Sequence, residues 1–314
     1  MIYTPICEML GIEYPILQGG MAHISDARLA AAVSNGGGLG IISAANGNVQ
    51  WLEEQLDLAA SLTDKPFGVN IMLMGDNIGQ IAELLAKKRV AAVTTGAGNP
   101  DRYIPLWKEA GIKVIPVVAS SALAKLMVRA GADAIIAEGG ESGGHVGDMT
   151  TMALIPQVCD AVDIPVIAAG GIADGRGLAA AFMLGAQGIQ VGTRFLAAFE
   201  CNISPVYKEK LIKASDGATI VTGKRLGHPV RSLKSPFSRG YAKAEYSDIS
   251  DEELEMMAVG SLRAAVVDGD EKKGCFLAGQ ISGMVNKEQS AAEIITDIFL
   301  EAENILNGAG KWVK

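Results

Sequence analysis

Cysteine is scarce and scattered. Cys7, Cys159, Cys201 and Cys275 are the only four, and no two of them form a CxxC pair. That spacing argues against a zinc site and against a disulfide framework, and it suits a reducing compartment. Long apolar runs are missing as well: no segment reaches the ~20 uninterrupted apolar residues that a membrane-spanning helix needs. The first sixteen residues, MIYTPICEMLGIEYPI, carry no basic region ahead of an apolar one. Positive charge is in deficit, with 27 Lys and Arg against 35 Asp and Glu for a net charge of −8. There is no basic patch or arginine stripe, so nucleic acid is not an expected partner. A cytoplasmic protein without a membrane segment is the expectation. Two common catalytic signatures are also lacking. There is no HExxH and no carboxylate pair at ligand spacing outside ordinary helix faces to point to a metal, and no G-x-S-x-G on a strand-to-helix turn to point to a serine nucleophile.

What the chain does have is glycine, 38 of its 314 residues, spread among apolar runs. A composition 49% hydrophobic and 20% charged is that of a globular protein. Apolar runs bounded by glycine or proline recur with helical patterns between them. Strands are expected near Pro15–Gln18, Leu39–Ile42, Phe67–Ile71, Ala91–Thr95, Lys113–Val117, Ala134–Ala137, Val166–Ala169 and Ile189–Val191. Helices are expected near Asp26–Asn35, Val49–Leu62, Asn77–Lys88, Arg102–Ala110, Ser121–Ala130, Met152–Ala161 and Gly175–Leu184. Asp26, Asp101, Ser120 and Asp174 read as N-caps, and Gly36, Gly111, Gly131 and Gly185 as helix stops.

Eight such units imply parallel strands with right-handed crossovers. They fit either an open doubly wound sheet or a closed barrel. The run Gly36–Gly40 lies between a helix and a strand, the wrong order for a dinucleotide loop, and reads as a tight turn. The α/β class expected is therefore a (β/α)8 TIM barrel with a C-terminal lid or extension. Residues 1–196 and about 284–310 would form the barrel, and about 197–283 the lid. Asp251–Val267 and Ala291–Asn307 look helical, the latter closing the ring.

The stretch from Ile164 to Phe195 organises the site. Strand, Gly170-Gly171, helix, strand and Gly192-Thr193 follow one another. Glycines at neighbouring strand ends expose backbone N–H groups to a phosphate, and in such barrels phosphate usually sits after strands 7 and 8. The other strand ends contribute Gly20, Met21, Ala22, Asn70, Gly96, Ala97, Val118 and Glu138. Such a mouth has few acids, bases or nucleophiles, which leaves the chemistry to a cofactor. His145, on a glycine-rich loop past a strand end, is the acid/base candidate. His23 and His228 read as surface or packing residues. Met72, Met74 and Met149 read as packing, with Met21 and Met74 placed to line an acyl channel. Arg231, Lys234 and Arg239 read as a solvated face, or as a dock for phosphate or an acidic carrier protein.

Seven segments occur together in order: Gln18–Ala22 (QGGMA), Gly68–Ile71 (GVNI), Thr94–Pro100 (TTGAGNP), Ile135–Gly139 (IIAEG), Gly143–His145 (GGH), Ala168–Ile172 (AAGGI) and Gln190–Arg194 (QVGTR). The set resembles the 2-nitropropane dioxygenase-like (nitronate monooxygenase) flavoproteins. Within them it is most similar to the FMN-dependent enoyl-[acyl-carrier-protein] reductases of fatty-acid synthesis. The likeness extends to Gly227–Arg231 and Ala278–Gln280. It implies FMN, reduced by NADH or NADPH, and an enoyl thioester of acyl carrier protein or coenzyme A. It also implies a homodimer and, in some relatives, a response to a monovalent cation. By the same resemblance Gly20, Met21, Ala22, Asn70, Glu138, Gly143, Gly144, Gly170, Gly171, Gln190, Gly192, Thr193, Gly279 and Gln280 would hold the cofactor. His145 matches the residue that abstracts a proton in the nitronate oxidisers. In the reductases it serves either nicotinamide binding or protonation. A nitronate monooxygenase and a flavin-binding protein without turnover are the competing readings.

Overall fold

The computed structural model describes residues 1–75 and 77–312. Eleven strands are present among them: β1 (Ile16–Gln18), β2 (Gly40–Ser43), β3 (Phe67–Met72), β4 (Ala92–Gly96), β5 (Lys113–Val118), β6 (Ile135–Glu138), β7 (Gly144–His145), β8 (Val166–Ala169), β9 (Gly188–Val191), β10 (Thr219–Thr222) and β11 (Val230–Leu233). Eight of them pair in parallel in the order β1-β9-β8-β6-β5-β4-β3-β2. The two ends meet at Leu17 and Leu39, where Gln18 N–H donates to Leu39 O at 3.0 Å and Leu39 N–H to Ile16 O at 2.9 Å. This is the (β/α)8 barrel.

Alternation along each strand decides what fills it. Leu17, Ile41, Ala92, Ile115, Ile136 and Ile167 turn inward into one buried cluster. The short helix Pro5–Leu10 plugs the floor, adding Ile6 and Leu10 to that cluster. Outward residues such as Ile42, Val69 and Val93, or Ile16, Ile135 and Ile189, meet the surrounding helices instead. The helices lie close enough to need glycine beneath them. A Cβ on Gly40 would fall 1.8 Å from Ala30 O of the helix Ala27–Asn35.

Asp26, Ser120 and Asp174 do cap their helices, accepting from Leu29 N–H, from Leu123 N–H, and from Arg176 and Gly177 N–H. Asp101 does not. Its helix begins at Ile104, because residues 100–103 form a tighter turn in which Asp101 accepts from its neighbour Arg102 N–H. Gly111, Gly131 and Gly185 have positive φ after their helices, whereas at the first helix stop that role falls to Gly37 rather than Gly36.

After β9 the chain leaves the barrel for the helix Pro205–Ile212, the β10–β11 hairpin and the helix Pro236–Ala244. The single helix expected over 251–267 is broken. Asp251–Ala258 ends before Gly260, whose φ of 76° no right-handed helix allows, and a wider π turn follows over Ala264–Asp268. The helix Ala291–Asn307 then returns to the ring, where Glu301 Oε2 accepts from Gly175 N–H at 2.8 Å and Ala292 abuts Gly36. It thus sits between the helices that follow β8 and β1. No helix among the described residues is long and apolar enough to cross a membrane.

Candidate active site

The inward alternation that buries Ile136 and Ile167 brings Glu138 and Ala169 to the barrel's upper rim two residues later. Register carries the same layer to Gln190 through Ala169, and on the far side to the pair Asn70 and Thr94. Asn70 Oδ1 accepts from Thr94 Oγ1 at 2.9 Å, which fixes the amide's orientation. The loop after β1 crosses so close to Asn70 that a Cβ on Gly20 would lie 2.2 Å from its Cβ. Above this layer opens a cavity of about 750 Å³ at the C-terminal ends of the strands. A second, wider hollow of about 1020 Å³ lies beside the helix Pro205–Ile212 and is lined by none of the site residues singled out from the sequence.

The loops after β8 and β9 form one wall. Gly170 and Gly171 both have left-handed backbone, with φ of 87° and 73°. A Cβ on Gly192 would meet only Met21, so the backbone there stands open to the cavity. Thr193 Oγ1 accepts from Gly279 N–H at 2.9 Å, which leaves its own proton to donate. Consecutive exposed N–H groups of this kind suit a phosphate. A cavity in the ~300–1,000 Å³ range, lined by apolar side chains with a few convergent polar groups, suits a small-molecule cofactor.

The adjoining wall is the loop from Gly139 to Gly147, which abuts Gly170 and is held at three points. Glu141 carboxylate oxygens accept from Thr151 N–H at 2.9 Å and from Thr151 Oγ1 at 3.0 Å. That carboxylate caps the helix Thr151–Cys159, whose own N-cap Thr150 makes no side-chain cap bond. Arg231 donates from Nε and Nη2 to Gly140 O at 3.2 and 2.9 Å, and from Nη1 to Thr219 Oγ1 at 3.1 Å. Finally, β7 pairs antiparallel with β11, His145 opposite Val230 and Gly144 opposite Arg231. The basic run is therefore not one solvated face. Arg231 is half-buried within β11, while Lys234, exposed just past the end of that strand, donates from Nζ to Gly217 O at 2.6 Å. Arg239 alone of the three is exposed without such a bond.

Two titratable groups face the cavity with displaced proton affinities. Desolvation at the head of β6 pushes the Glu138 carboxyl up to about 7, and the neighbouring Ser142 hydroxyl pulls the other way without winning. His145 stands at the open rim. The chain packed around its ring holds its imidazole below the ordinary 6.5, with a smaller push from His228.

The structure brings together His145, Gly20, Met21, Ala22, Asn70, Glu138, Gly143, Gly144, Gly170, Gly171, Gln190, Gly192, Thr193 and Gly279 around this one cavity. Gln280 lies outside it, exposed, with its N–H on Glu141 O at 2.9 Å. Gly143 and Gly279 also answer to packing, since a Cβ on either would strike the other's segment. Met72 lines the cavity with Met21 and Met74, while His23 does not. His228, read as a surface or packing residue, lines it too. So do Glu141, Ser142 and Leu277. The GxE spacing after Glu138 could have flagged Glu141. Nothing local flags His228, which the β7–β11 pairing alone delivers. Among the described residues no group of three or more His, Cys, Asp and Glu side chains could hold a metal ion.

Comparison with known proteins agrees with this geometry. The family model described as nitronate monooxygenase matches residues 4–301. A solved structure of FabK from Thermotoga maritima is 48% identical, covers 100% of both chains and superposes with a TM-score of 0.97. A nitroalkane oxidase from Streptomyces ansochromogenes is 27% identical over 97% of this chain and 99% of its own, with a TM-score of 0.87. A Mycobacterium tuberculosis protein named as a hydroxy-methyl-oxo-octahydroindene-carboxyl-CoA dehydrogenase is 35% identical over 99% of each chain.

Proposed function

The chain belongs to the nitronate monooxygenase family, and from that premise we propose that it is an FMN-dependent enoyl-[acyl-carrier-protein] reductase. The observation that carries the reading is the cavity itself, with its glycine-lined wall, its layer of Asn70, Glu138 and Gln190, and the imidazole of His145 at the rim. Such a site binds and orients, and a cofactor does the redox work. Likeness to the Thermotoga FabK along the whole chain supports the reductase branch. The Mycobacterium relative's name specifies a carboxyl-CoA compound, which supports a thioester as the substrate class.

Bound FMN would supply hydride transfer from NADH or NADPH to Cβ of a trans-2-enoyl thioester. Backbone N–H groups of Gly170, Gly171, Gly192 and Thr193 would hold its phosphate. Asn70, Glu138 and Gln190 would meet the polar edge of the ring, with Gly20, Met21 and Ala22 beside it. Gly143, Gly144 and Gly279 shape the wall that faces the ring. Gln280 would act through its backbone alone. Met72, Met74 and Leu123 give the acyl chain an apolar lining. His145, at the open rim of the wall that adjoins the phosphate loops, is the group that delivers a proton to Cα. The segment 197–283, which supplies β10, β11 and Leu277 to that wall, serves as the lid that excludes water. Acyl carrier protein or coenzyme A as donor, a cytoplasmic homodimer and a monovalent-cation response complete the reading by family resemblance.

The test is anaerobic. NADH or NADPH should bleach the flavin absorbance of the purified protein, and a crotonyl or longer enoyl thioester should restore it. A flavin that ignores nicotinamide and bleaches with an alkyl nitronate would place the chain with the nitronate oxidisers instead.

A further inference from the structure

A flavin reductase of the kind proposed admits two phosphate-bearing ligands to one cavity, and the glycine wall answers to one of them. Gly170, Gly171, Gly192 and Thr193 are assigned above to the flavin phosphate. The nicotinamide dinucleotide that reduces the flavin brings a diphosphate of its own, with two negative charges to satisfy. Among the described residues no lysine or arginine lines the cavity. Besides the carboxylates of Glu138 and Glu141, its ionisable side chains are His145 and His228.

His228 lies on a turn that is fixed in place. His228 N–H donates back to Gly223 O at 3.0 Å and Gly227 N–H to Lys224 O at 3.1 Å. Gly223 has a left-handed φ of 84°, and a Cβ there would lie 2.5 Å from His228 O. Arg225 faces the protein, donating to Asp251 Oδ1 at 2.9 Å, Ser247 O at 3.2 Å and Ile249 O at 2.7 Å. Lys224 and His228 are exposed.

The charge around this turn is one-sided. Residues 217–244 contain Lys224, Arg225, Arg231, Lys234, Arg239 and Lys243 and no Asp or Glu, in a chain whose net charge is −8. Glu245 and Asp251, the carboxylates that meet the turn, both accept from Arg225.

Position separates one source of phosphate from another. The β7–β11 register sets His145 opposite Val230, and Val146 N–H donates to Pro229 O at 3.0 Å, which brings His228 to the diagonal of His145. Diagonal residues of an antiparallel pair stand about 7–8 Å apart. One ribose separates a nicotinamide ring from its diphosphate, which suits that short step. A thioester is separated from its phosphate by a whole pantetheine arm, which does not.

We propose that the turn Gly223–His228 is the diphosphate subsite for the nicotinamide dinucleotide, with Lys224 Nζ and a His228 ring N–H as its donors. The assignment of the ligand rests on the reductase reading.

The experiment uses FMN-loaded protein, wild type, Lys224→Ala, His228→Ala and the conservative Lys224→Arg, all on an exposed turn. Anaerobic bleaching is followed against NADH and NADPH concentration. Each alanine variant should raise the half-saturating concentration about tenfold, as loss of a hydrogen bond to a charged group does, with the limiting rate of bleaching kept. Lys224→Arg should stay near wild type. ADP, which carries the diphosphate without the nicotinamide, should compete with NADH in wild type and about tenfold more weakly in Lys224→Ala. Half-saturating concentrations that do not move overturn the proposal. So does an equal shift in the concentration of crotonyl-CoA or carrier-protein thioester needed to reoxidise the flavin, which would give the turn to the thioester's phosphate. Wild-type flavin that neither nicotinamide bleaches would defeat the reductase reading and the proposal together, whereas bleaching that the variants leave unchanged defeats the proposal alone.

Discussion

A carboxyl group at the mouth of a barrel is easily desolvated, and Glu138 shows the consequence for pH. Its folded-state proton affinity is raised from the usual 4.5 to about 7, so between those values the folded protein holds a proton that the unfolded chain has lost. By linkage, stability contributed at this site falls as pH rises through that window and stays lost above it. Each unit is worth about 1.4 kcal/mol, and opening onto the cavity reduces the net cost to ~1–2 kcal/mol. Glu138→Gln in cofactor-free protein should therefore be more stable than wild type at pH 8 and about equal to it at pH 4.5. Thermal unfolding across that range checks the sign, and a variant less stable than wild type at pH 8 would refute the argument. The group tolerated here at a cost to stability is one that a bound ligand can use.

The same opposition of local and tertiary effects recurs between elements. Gly175 opens the helix Gly175–Met183, where alanine is the better helix former by about 1 kcal/mol. Yet a Cβ at 175 would lie 2.4 Å from Ala302 N of the closing helix. Overpacking of that kind costs ~1–3 kcal/mol, so the clash wins. Gly175→Ala should lower the denaturation midpoint, whereas alanine at Gly79, where a Cβ would have no neighbour within 4 Å, should not. Urea unfolding of the two variants separates packing from propensity.

Elements were legible in the sequence where they made their own signal. All eight barrel strands fall within a residue or so of expectation, because each is a short, largely apolar run between helical patterns. The helix Ala291–Asn307 matches to the residue, since Ser290 and Glu293 form a capping box at its start. β7 could not be foreseen. Two residues, Gly144 and His145, carry no period, and they are a strand only because β11 lies beside them. Arg231 was misread for a related reason: its acceptor, Gly140 O, is 91 residues away. The cavity residues on strand ends are recoverable from the sequence, whereas those delivered by the extension are recoverable only through resemblance, and the likeness at Gly227–Arg231 gives His228 no place in the site.

At the scale of the whole molecule, closure of the barrel is its least-connected step. β3 and β4 share five paired positions, while β1 and β2 meet through the single bridge between Leu17 and Leu39. Hydrogen exchange should register the difference. The amides of Gln18 and Leu39 at that seam should exchange faster than those of Val69 and Val93 in the β3–β4 region. Equal protection would show that the helices lock the seam as firmly as its neighbours.

The three-stranded sheet of β10, β11 and β7 has one consequence for how this protein can change. The wall of Gly170, Gly171 and Gly192 belongs to the barrel, whereas β7, which carries His145, is held by a strand of the later segment. The two halves of the chemistry are thus carried on separable stretches of sequence. Transplanting 197–283 from a relative would exchange the surroundings of His145 while leaving the layer of Asn70, Glu138 and Gln190 in place. A lineage could in this way move between reducing thioesters and oxidising nitro compounds by revising one appendage.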